Sequence, residues 1–250
     1  MPVSIISSNQ ESGRLSRSQV NQLIDLDRYP IDQLESGAGR DLIEICHNNL
    51  ATQAIALLPG FIRPSAISGM AEEAQDLIDQ AYRYDQPRAA FYEHPNHQHR
   101  ARDGDGWSTL RSKRHPNRYC QILNYQIPNN SNLRAIYLWP KLTEFVRRVL
   151  DVDNLYPSLC PHLALTMKVA FQGDLDGWHY DPNDGVITLM LQPSESGGEF
   201  EYAPYIRNEQ EENYSGVKRL FDSPGTDCLL YTSDAADDTP CVDLGGRRII

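Results

Sequence analysis

The hydrophobic periodicity of the chain changes near residue 150, and that change restricts the folds that the chain can adopt. In the first part, apolar residues recur three and four positions apart over 67–82 and 142–150, which predicts amphipathic helices. In the second part, apolar residues alternate with polar or small ones over 163–171, and apolar runs follow at 186–192 and 199–203, which predicts strands. Helices followed by strands predict an α+β fold with a sandwich-like β core.

Several shorter patterns divide the first part of the chain. An apolar run at 55–58 predicts a short strand, and residues 121–127 predict another. The helix predicted over about 132–150 contains Pro140, so we expect it to be interrupted or restarted there. Residues 86–118 are polar and irregular, and such a long segment in a compact domain is typical of a lid or a binding loop.

The length of 250 residues suffices for one large domain or two small ones. Residues 1–22 are rich in Ser, Asn and Gln and are interpreted as a mobile arm. We predict a single domain over residues 23–227, with a helical part at 23–150 and the β core at 151–227.

Charge and motif content exclude several classes of function. The formal net charge of −11 argues against nucleic acid or an anionic membrane surface as the main partner. No apolar run reaches the roughly 18 residues of a transmembrane helix, and the first residues lack the basic flank of a signal peptide. The 5 cysteines form no CxxC pair, so we expect reduced thiols and a cytoplasmic location. Motifs for nicotinamide cofactors, nucleotides, zincins and serine hydrolases are absent.

The most informative residues are His179 and Asp181, which stand two positions apart after the alternating segment. At the end of a strand, side chains at i and i+2 point to one face, so an imidazole and a carboxylate can converge on one ion. A third ligand, usually a distant His on a neighbouring strand, would complete the two-His-one-carboxylate triad of non-haem Fe(II) sites. The alternative to a metal site is a surface turn in which the His side chain forms a hydrogen bond.

The order of elements around His179 leads to a family resemblance. A strand, the His-x-Asp pair, a second strand, a Gly197-Gly198 turn and a third strand follow one another, as expected in a jelly-roll metal site. The stretch GWHYDPNDGVITLMLQPSESGGEFEYAPYIR resembles the Fe(II)- and 2-oxoglutarate-dependent oxygenases, closest to the branch of amino-acid hydroxylases and free-amino-acid halogenases. LDRYPI, GAGRDLIEIC and IALLPGFI resemble the same branch, so the likeness covers roughly residues 25–227.

The resemblance implies a double-stranded β-helix (a jelly-roll, cupin-like core) with helices packed outside. It implies that Fe(II) binds His179, Asp181 and a distal His, and that the cosubstrate 2-oxoglutarate chelates the iron and places its far carboxylate on an Arg beyond that His. With O2, such an enzyme oxidises a small-molecule substrate and releases succinate and CO2. His179 is the last histidine of the chain, so the third ligand is absent from it.

Asp181 decides between two activities of the resembled branch. Halogenases of that branch carry a small residue in place of the carboxylate, which leaves a coordination position for halide. Because the carboxylate is present here, we predict a hydroxylase of a small polar substrate, such as a free amino acid. The alternatives are a halogenase-related enzyme or an oxygenase of peptidyl side chains, and, in another class, a metal-free jelly-roll binding protein.

Four further residues are candidates for the substrate or cosubstrate pocket. Trp178 flanks the metal pair and would either line the pocket or pack on the outside. Thr188 lies on one face of the strand predicted at 186–192, and one face of that strand should line the cavity. Glu201 would pair with a substrate ammonium and Arg207 with a substrate carboxylate, although both residues also fit a solvated surface.

Residues 228–250 resemble a translated sequencing-library adapter rather than a protein family. Back-translated, 228–238 match a transposase-end adapter and 242–250 match a second fixed block, with a barcode-sized gap between them. We therefore expect the native frame to end near Asp227, which would truncate the oxygenase before its distal His and leave this chain inactive. The alternative is a real polar tail.

Overall fold

The fold consists of helices and antiparallel sheets. The computed structural model describes residues 15–90, 107–180, 185–198, 200–206, 213–222, 229–231 and 240–244. The helices of this part are α1 (Arg17–Leu23), α2 (Gly37–Gln53), α3 (Pro64–Leu77), α4 (Trp107–Ser112), α5 (Asn132–Tyr137), α6 (Pro140–Leu150) and α7 (Tyr214–Asp222). Its strands are β1 (Ile55–Leu57), β2 (Tyr82–Asp85), β3 (Arg88–Ala89), β4 (Arg114–His115), β5 (Asn117–Ile122), β6 (Met167–Val169), β7 (Leu175–Asp176), β8 (Gly185–Leu189), β9 (Phe200–Tyr202), β10 (Leu229–Tyr231) and β11 (Pro240–Leu244).

The strands of the described ranges pair into four sheets, and every pair of strands in them is antiparallel. One sheet has the order β1-β11-β8, a second pairs β10 with β9, and a third pairs β3 with β4. The fourth has the order β2-β5-β6, with β7 also paired to β5. The predicted α+β class is confirmed, whereas the double-stranded β-helix stays a prediction.

Most helices of the first half pack around one hydrophobic core. Ile24, Phe61, Met70, Ile122 and Phe145 are among its fully buried members, and they come from helices, a strand and the connections between elements. Several helix starts follow ordinary capping chemistry: the Ser36 hydroxyl accepts from the Gly39 N–H, and Pro64 and Pro140 occupy first turns, where no N–H is needed. This core supports β5, whose first residues lie at the candidate site described below.

The chain around Pro140 follows its sequence pattern closely. Helix α5 ends at Tyr137 and α6 begins at Pro140, so the predicted restart is confirmed. Strand β1 confirms the run predicted at 55–58. Helix α3, in contrast, ends at Leu77 instead of continuing to residue 82, because Tyr82 begins β2 and pairs with β5.

Two predicted strands are shorter than their patterns. Residues 163–171 alternate, but only Met167–Val169 form β6, because only these residues lie opposite β5, and Leu163 is 69% exposed. Strand β8 ends at Leu189 and does not extend to residue 192. Ile187 and Thr188 are both exposed, so the expected division of this strand into a cavity face and an opposite face is not observed.

Regular structure also occupies parts of two segments that the sequence assigns to an arm and a loop. Helix α1 lies within the last residues of the predicted arm, and its Val20 is fully buried in the main core. Within residues 86–118, the structure has β3, α4, β4 and the beginning of β5. Residues 1–14 and 91–106 lie outside the described residues.

The segment predicted to be adapter-encoded contributes two strands. Strand β10 pairs with β9, and β11 lies between β1 and β8. In the described part of the chain, no helix has the length and apolar character needed to cross a lipid bilayer.

Two glycines of α2 provide a test of how this helix packs. A Cβ at Gly39 would lie 2.3 Å from the Gln33 carbonyl oxygen, whereas a Cβ at Gly37 would meet nothing within 4 Å. We expect Gly39→Ala to destabilise the protein by about 1–3 kcal/mol, because backbone would have to shift. Gly37→Ala should be neutral or stabilise by up to about 1 kcal/mol. Urea denaturation midpoints measure both, and equal midpoints for the two variants would contradict this packing.

Candidate functional site

His179 lies between β7 and β8, in a segment held against the β4–β5 connection. The ring is 8% exposed, and the following residue, Tyr180, donates its backbone N–H to the Ala90 carbonyl at 2.8 Å. A Cβ at Gly177 would lie 2.3 Å from the Pro116 carbonyl oxygen, so glycine permits the backbone here to approach β4 and β5 closely. These contacts hold the backbone on both sides of His179 close to the β4–β5 connection and to Ala90.

The hydrogen bond of the His179 ring determines which nitrogen can bind a metal. Its Nδ1 lies 2.8 Å from the Gly177 carbonyl oxygen, and a carbonyl can only accept. Nδ1 therefore carries the proton, and in the neutral ring the lone pair lies on Nε2. A backbone carbonyl on one nitrogen and a metal on the other is the usual arrangement of metal-binding histidines.

Asp176 is the centre of an ionic network next to His179. One carboxylate oxygen accepts from Arg88 at 2.9 Å and lies 4.0 Å from the His179 Nδ1, and the other oxygen accepts from Lys168. Burial acts to raise the pKa of the Asp176 carboxyl, but the positive charge and hydrogen bond of Lys168, together with the charge of Arg88, lower it below its ordinary value. The carboxylate is therefore held ionised beside the imidazole. Lys168 also lies over the Tyr119 ring, 4.4 Å from its centroid.

Strand pairing brings four polar residues near one another, and two of them, Arg88 and Asp176, belong to this network. Arg88 lies opposite His115 in the β3–β4 pair, and Asn117 lies opposite Asp176 in the β5–β7 pair. Directly opposite residues of antiparallel strands share a face, with Cα atoms about 4.5–5.5 Å apart. The Arg88–Asp176 ion pair joins the two pairs, so the four side chains form one cluster, which we call the Arg88–Asn117 cluster.

Several polar atoms of this cluster are buried without a partner. Asn117 is 1% exposed, and neither polar atom of its amide has a hydrogen-bond partner among the described residues. The same holds, within that part of the chain, for Nε2 of His115 and Nε of Arg88. Burial, together with the nearby Lys113, lowers the pKa of His115, so its imidazole is held neutral. Unpaired buried polar groups are rare in native proteins and call for an explanation.

A bidentate ion pair clamps the turn that leads into β7. The two guanidinium nitrogens of Arg83 on β2 lie 2.7 and 2.5 Å from the carboxylate oxygens of Asp174, which also accepts from the Phe171 N–H. Arg118 on β5 donates to the Gly173 carbonyl at 2.6 Å. The Asp174 side chain is 4% exposed, and the hydrogen bonds from Arg83 lower the pKa of its carboxyl to about 2.

The sequence-predicted site residues are only partly brought together. Asp181 and Arg207 lie outside the described residues. Trp178 is half-buried and packs against an apolar cluster that contains Tyr180 and Ala203. Thr188 and Glu201 lie on strands of different sheets, where Thr188 is exposed and Glu201 is half-buried.

The described residues do not by themselves supply a complete metal site. No group of three or more His, Cys, Asp or Glu side chains that could hold a metal occurs among them. Asp181 is not among these residues, and the chain has no histidine after His179. The protonation pattern of His179 nevertheless fits a metal ligand.

Sequence patterns alone missed Arg88, His115, Asn117 and Asp176. Their proximity depends on cross-strand pairing between residues that are up to 88 positions apart, and no local pattern reports it. A signal did exist, because three of the four lie in the long polar segment 86–118, whose composition and length are typical of a lid or a binding loop. Comparisons with known proteins add no family: no family model matches the chain, and no curated protein matches it.

The ion pair between Arg83 and Asp174 makes the stability of the fold depend on pH in the acidic range. Because the folded pKa is about 2 and the ordinary value is 3.8, this carboxylate stabilises the protein fully above pH 4–5 and loses that effect as the pH falls through about 2. We expect Asp174→Asn to lower the urea midpoint at pH 7, and the difference from the parent to shrink steadily between about pH 4 and pH 2. A difference that stays constant over this range would show that Asp174 acts without its charge.

Proposed function

We propose that the chain derives from a non-haem Fe(II), 2-oxoglutarate-dependent dioxygenase that hydroxylates a small polar substrate, such as a free amino acid. The single observation that carries the proposal is the state of His179. Its ring is 8% exposed and its Nδ1 donates to the Gly177 carbonyl, so the neutral ring carries its lone pair on Nε2, the nitrogen through which such a histidine binds a metal.

The order of elements around His179 supports the same proposal. Strand β7 precedes it, β8 follows it, and β9 comes after Gly197 and Gly198, which have positive φ values of 70° and 74°. Such φ values favour glycine, which accounts for the Gly-Gly sequence before β9. Strand, His-x-Asp, strand, glycine turn and strand is the order expected around the metal site of a jelly-roll oxygenase.

His179 and Asp181 are the residues of this chain that would hold the iron. An imidazole and a carboxylate suit Fe(II), and two protein ligands of the facial triad leave a third to be supplied by a distal His. When bound, Fe(II) with 2-oxoglutarate supplies the oxidation of an unactivated C–H bond by O2. We propose Trp178, Thr188, Glu201 and Arg207 as pocket residues around that position.

The surrounding residues of this chain orient His179 and restrict access of water. The Gly177 carbonyl fixes the tautomer and the plane of the ring, and the carboxylate of Asp176 favours the proton on Nδ1. The next residue, Tyr180, packs with Leu110, Val217 and Leu220 in a second apolar cluster, against which Trp178 also packs. An apolar surface that excludes water strengthens the polar interactions of a neighbouring site.

The incomplete β core is part of the proposal. Strand β11 lies between β1 and β8, and we propose that a strand of the native continuation takes this position in a double-stranded β-helix. Residues 228–250 are then an adapter-encoded replacement for that continuation, which would carry the distal His and the Arg for 2-oxoglutarate. We also propose that the native enzyme is cytoplasmic, where its free thiols would stay reduced.

Anaerobic titration with Fe(II) tests the proposal. A version whose residues 228–250 are replaced by the genomic continuation should bind one Fe(II) and form succinate with a matching amino acid. His179→Ala in that version should weaken Fe(II) binding by more than about 100-fold, since changes in the second shell alone cost about 10–100-fold. The 250-residue chain, which lacks a third ligand, should bind Fe(II) far more weakly than the completed version.

The matched control is His162→Ala, which removes an exposed imidazole that contacts Tyr125 edge-on. This variant should bind Fe(II) like its parent. If the completed version binds no Fe(II), the oxygenase proposal is wrong and a metal-free binding protein becomes the better interpretation. If His162→Ala and His179→Ala weaken binding equally, His179 is not a specific ligand.

A further inference from the structure

The connection between α6 and β6 carries the most exposed large apolar side chains of the described residues. Leu159 is 85% exposed, Tyr156 78% and Leu163 69%. Leu155 and Leu165, near the two ends of the same connection, pack against the main core. The connection is therefore attached to the core at both ends, while the large apolar side chains between these two attachments face the solvent.

Hydrogen bonds hold the middle of this connection in place. The Tyr125 N–H donates to the Pro161 carbonyl at 2.8 Å. Asn124 donates its backbone N–H to the His162 carbonyl at 3.2 Å and its side-chain amide to the Cys160 carbonyl at 3.1 Å. A loose loop can turn its apolar side chains inward, whereas a segment anchored in this way keeps them outside. Because the segment is already ordered, a partner that binds there loses little affinity to the ordering of the chain.

Two tyrosines extend this exposed surface beyond the connection. The rings of Tyr125 and His162 meet edge-on with centroids 5.6 Å apart, and the Tyr125 hydroxyl lies 2.6 Å from the hydroxyl of Tyr82 on β2. Tyr82 and Tyr125 are both more than half exposed. The surface formed by the five exposed side chains, which we call the tyrosine–leucine patch, consists of Tyr82, Tyr125, Tyr156, Leu159 and Leu163.

The two segments that supply most of this patch contain no charged residue. Lys, Arg, Asp and Glu are absent from 119–133 and from 154–167, although they make up 23% of the chain. Two copies of a chain with a net charge of −11 repel each other least where the facing surfaces carry no charge. A basic partner, in contrast, would be recognised by carboxylates, which these segments do not have. A composition rich in tyrosine and poor in charge is typical of the core of a homodimer interface.

The area of the patch also suits a dimer. A tyrosine ring can bury about 150–250 Å², so three tyrosines and two leucines that are each more than half exposed offer on the order of 500 Å² of apolar surface. A stable interface of standard size buries about 800 Å² on each subunit, and about 65% of a homodimer interface is apolar. The apolar surface that a dimer needs on each subunit is therefore also on the order of 500 Å².

We propose that the tyrosine–leucine patch is the interface of a symmetric homodimer. In a dimer with twofold symmetry the same patch faces itself, so Leu159 and Leu163 of one copy pack against the patch of the other copy. Burial of these side chains removes from water the apolar surface that the single chain exposes. The inference concerns assembly, and it holds whether or not the chain derives from an oxygenase.

Sedimentation equilibrium of the 250-residue chain tests the proposal. At about 10–100 µM we expect twice the chain mass of 28.4 kDa, with dissociation on dilution. Leu159→Glu and Leu163→Glu should each weaken dimerisation by at least about 100-fold, because each would bury a carboxylate without a partner at the interface. Both positions are exposed in the single chain, so both variants should keep the circular dichroism spectrum of the parent.

The matched control is Ile45→Glu on α2. Ile45 is another exposed aliphatic side chain, and it lies outside the patch. This variant should dimerise like the parent. Raising NaCl from about 0.05 M to 0.5 M should strengthen dimerisation or leave it unchanged, since salt screens the repulsion between two acidic copies and no ion pair is needed at the patch.

Several outcomes would overturn the dimer. They are a parent that stays monomeric at about 100 µM, a dimer that persists in both glutamate variants, or equal dissociation in Ile45→Glu. A dimer that dissociates as salt is added would indicate ionic contacts at another surface, which also contradicts the proposal. A monomeric parent that binds phosphatidylcholine vesicles and loses this binding in Leu159→Glu would assign the patch to a lipid surface instead.

Discussion

The ion pair between Arg88 and Asp176 is the contact on which the geometry of the candidate site depends. Arg88 belongs to the β3–β4 pair and Asp176 to the β5–β7 pair, so this contact ties together two strand pairs that Pro116 already joins between β4 and β5. His179 follows Asp176 by three residues and has its Nδ1 4.0 Å from the same carboxylate oxygen. A displacement of either strand pair would therefore move the imidazole as well.

The candidate site lowers the stability of the fold, and the packing of the rest of the fold offsets that loss. Ion pairs as exposed as Arg88–Asp176 contribute about 0–1 kcal/mol, while each buried polar group left without a partner costs about 1–3 kcal/mol. Asn117 and His115, whose buried side-chain atoms have no partner among the described residues, therefore destabilise the fold by more than the ion pair stabilises it. The main core around Phe61 and Phe145 supplies the compensating stability, because burying one such side chain contributes about 1.5–3 kcal/mol.

Local patterns in the sequence predicted elements, and long-range pairing decided the rest. The helices around Pro140 and the α+β class follow from periodicity, since period and proline are properties of short segments. The alternating segment 163–171 predicted a strand that is too long. A strand also needs a neighbouring strand, and only Met167–Val169 pair with β5. His179 was found from its spacing to Asp181, whereas Asn117 was missed because its importance comes from the strand opposite it.

The central position of β11 has a consequence for handling the protein. Antiparallel pairing uses backbone groups only, so a segment of almost any sequence can join a sheet wherever two strand edges lie the right distance apart. Here β1 and β8 are bridged solely through β11 in their sheet as described, and Ile187 on β8 is already 47% exposed. Shortening the chain to end at residue 227 would expose the edges of both β1 and β8. Exposed apolar edge strands pair with those of other molecules and cause aggregation. Shortened versions would then precipitate even though every residue of the candidate site is retained.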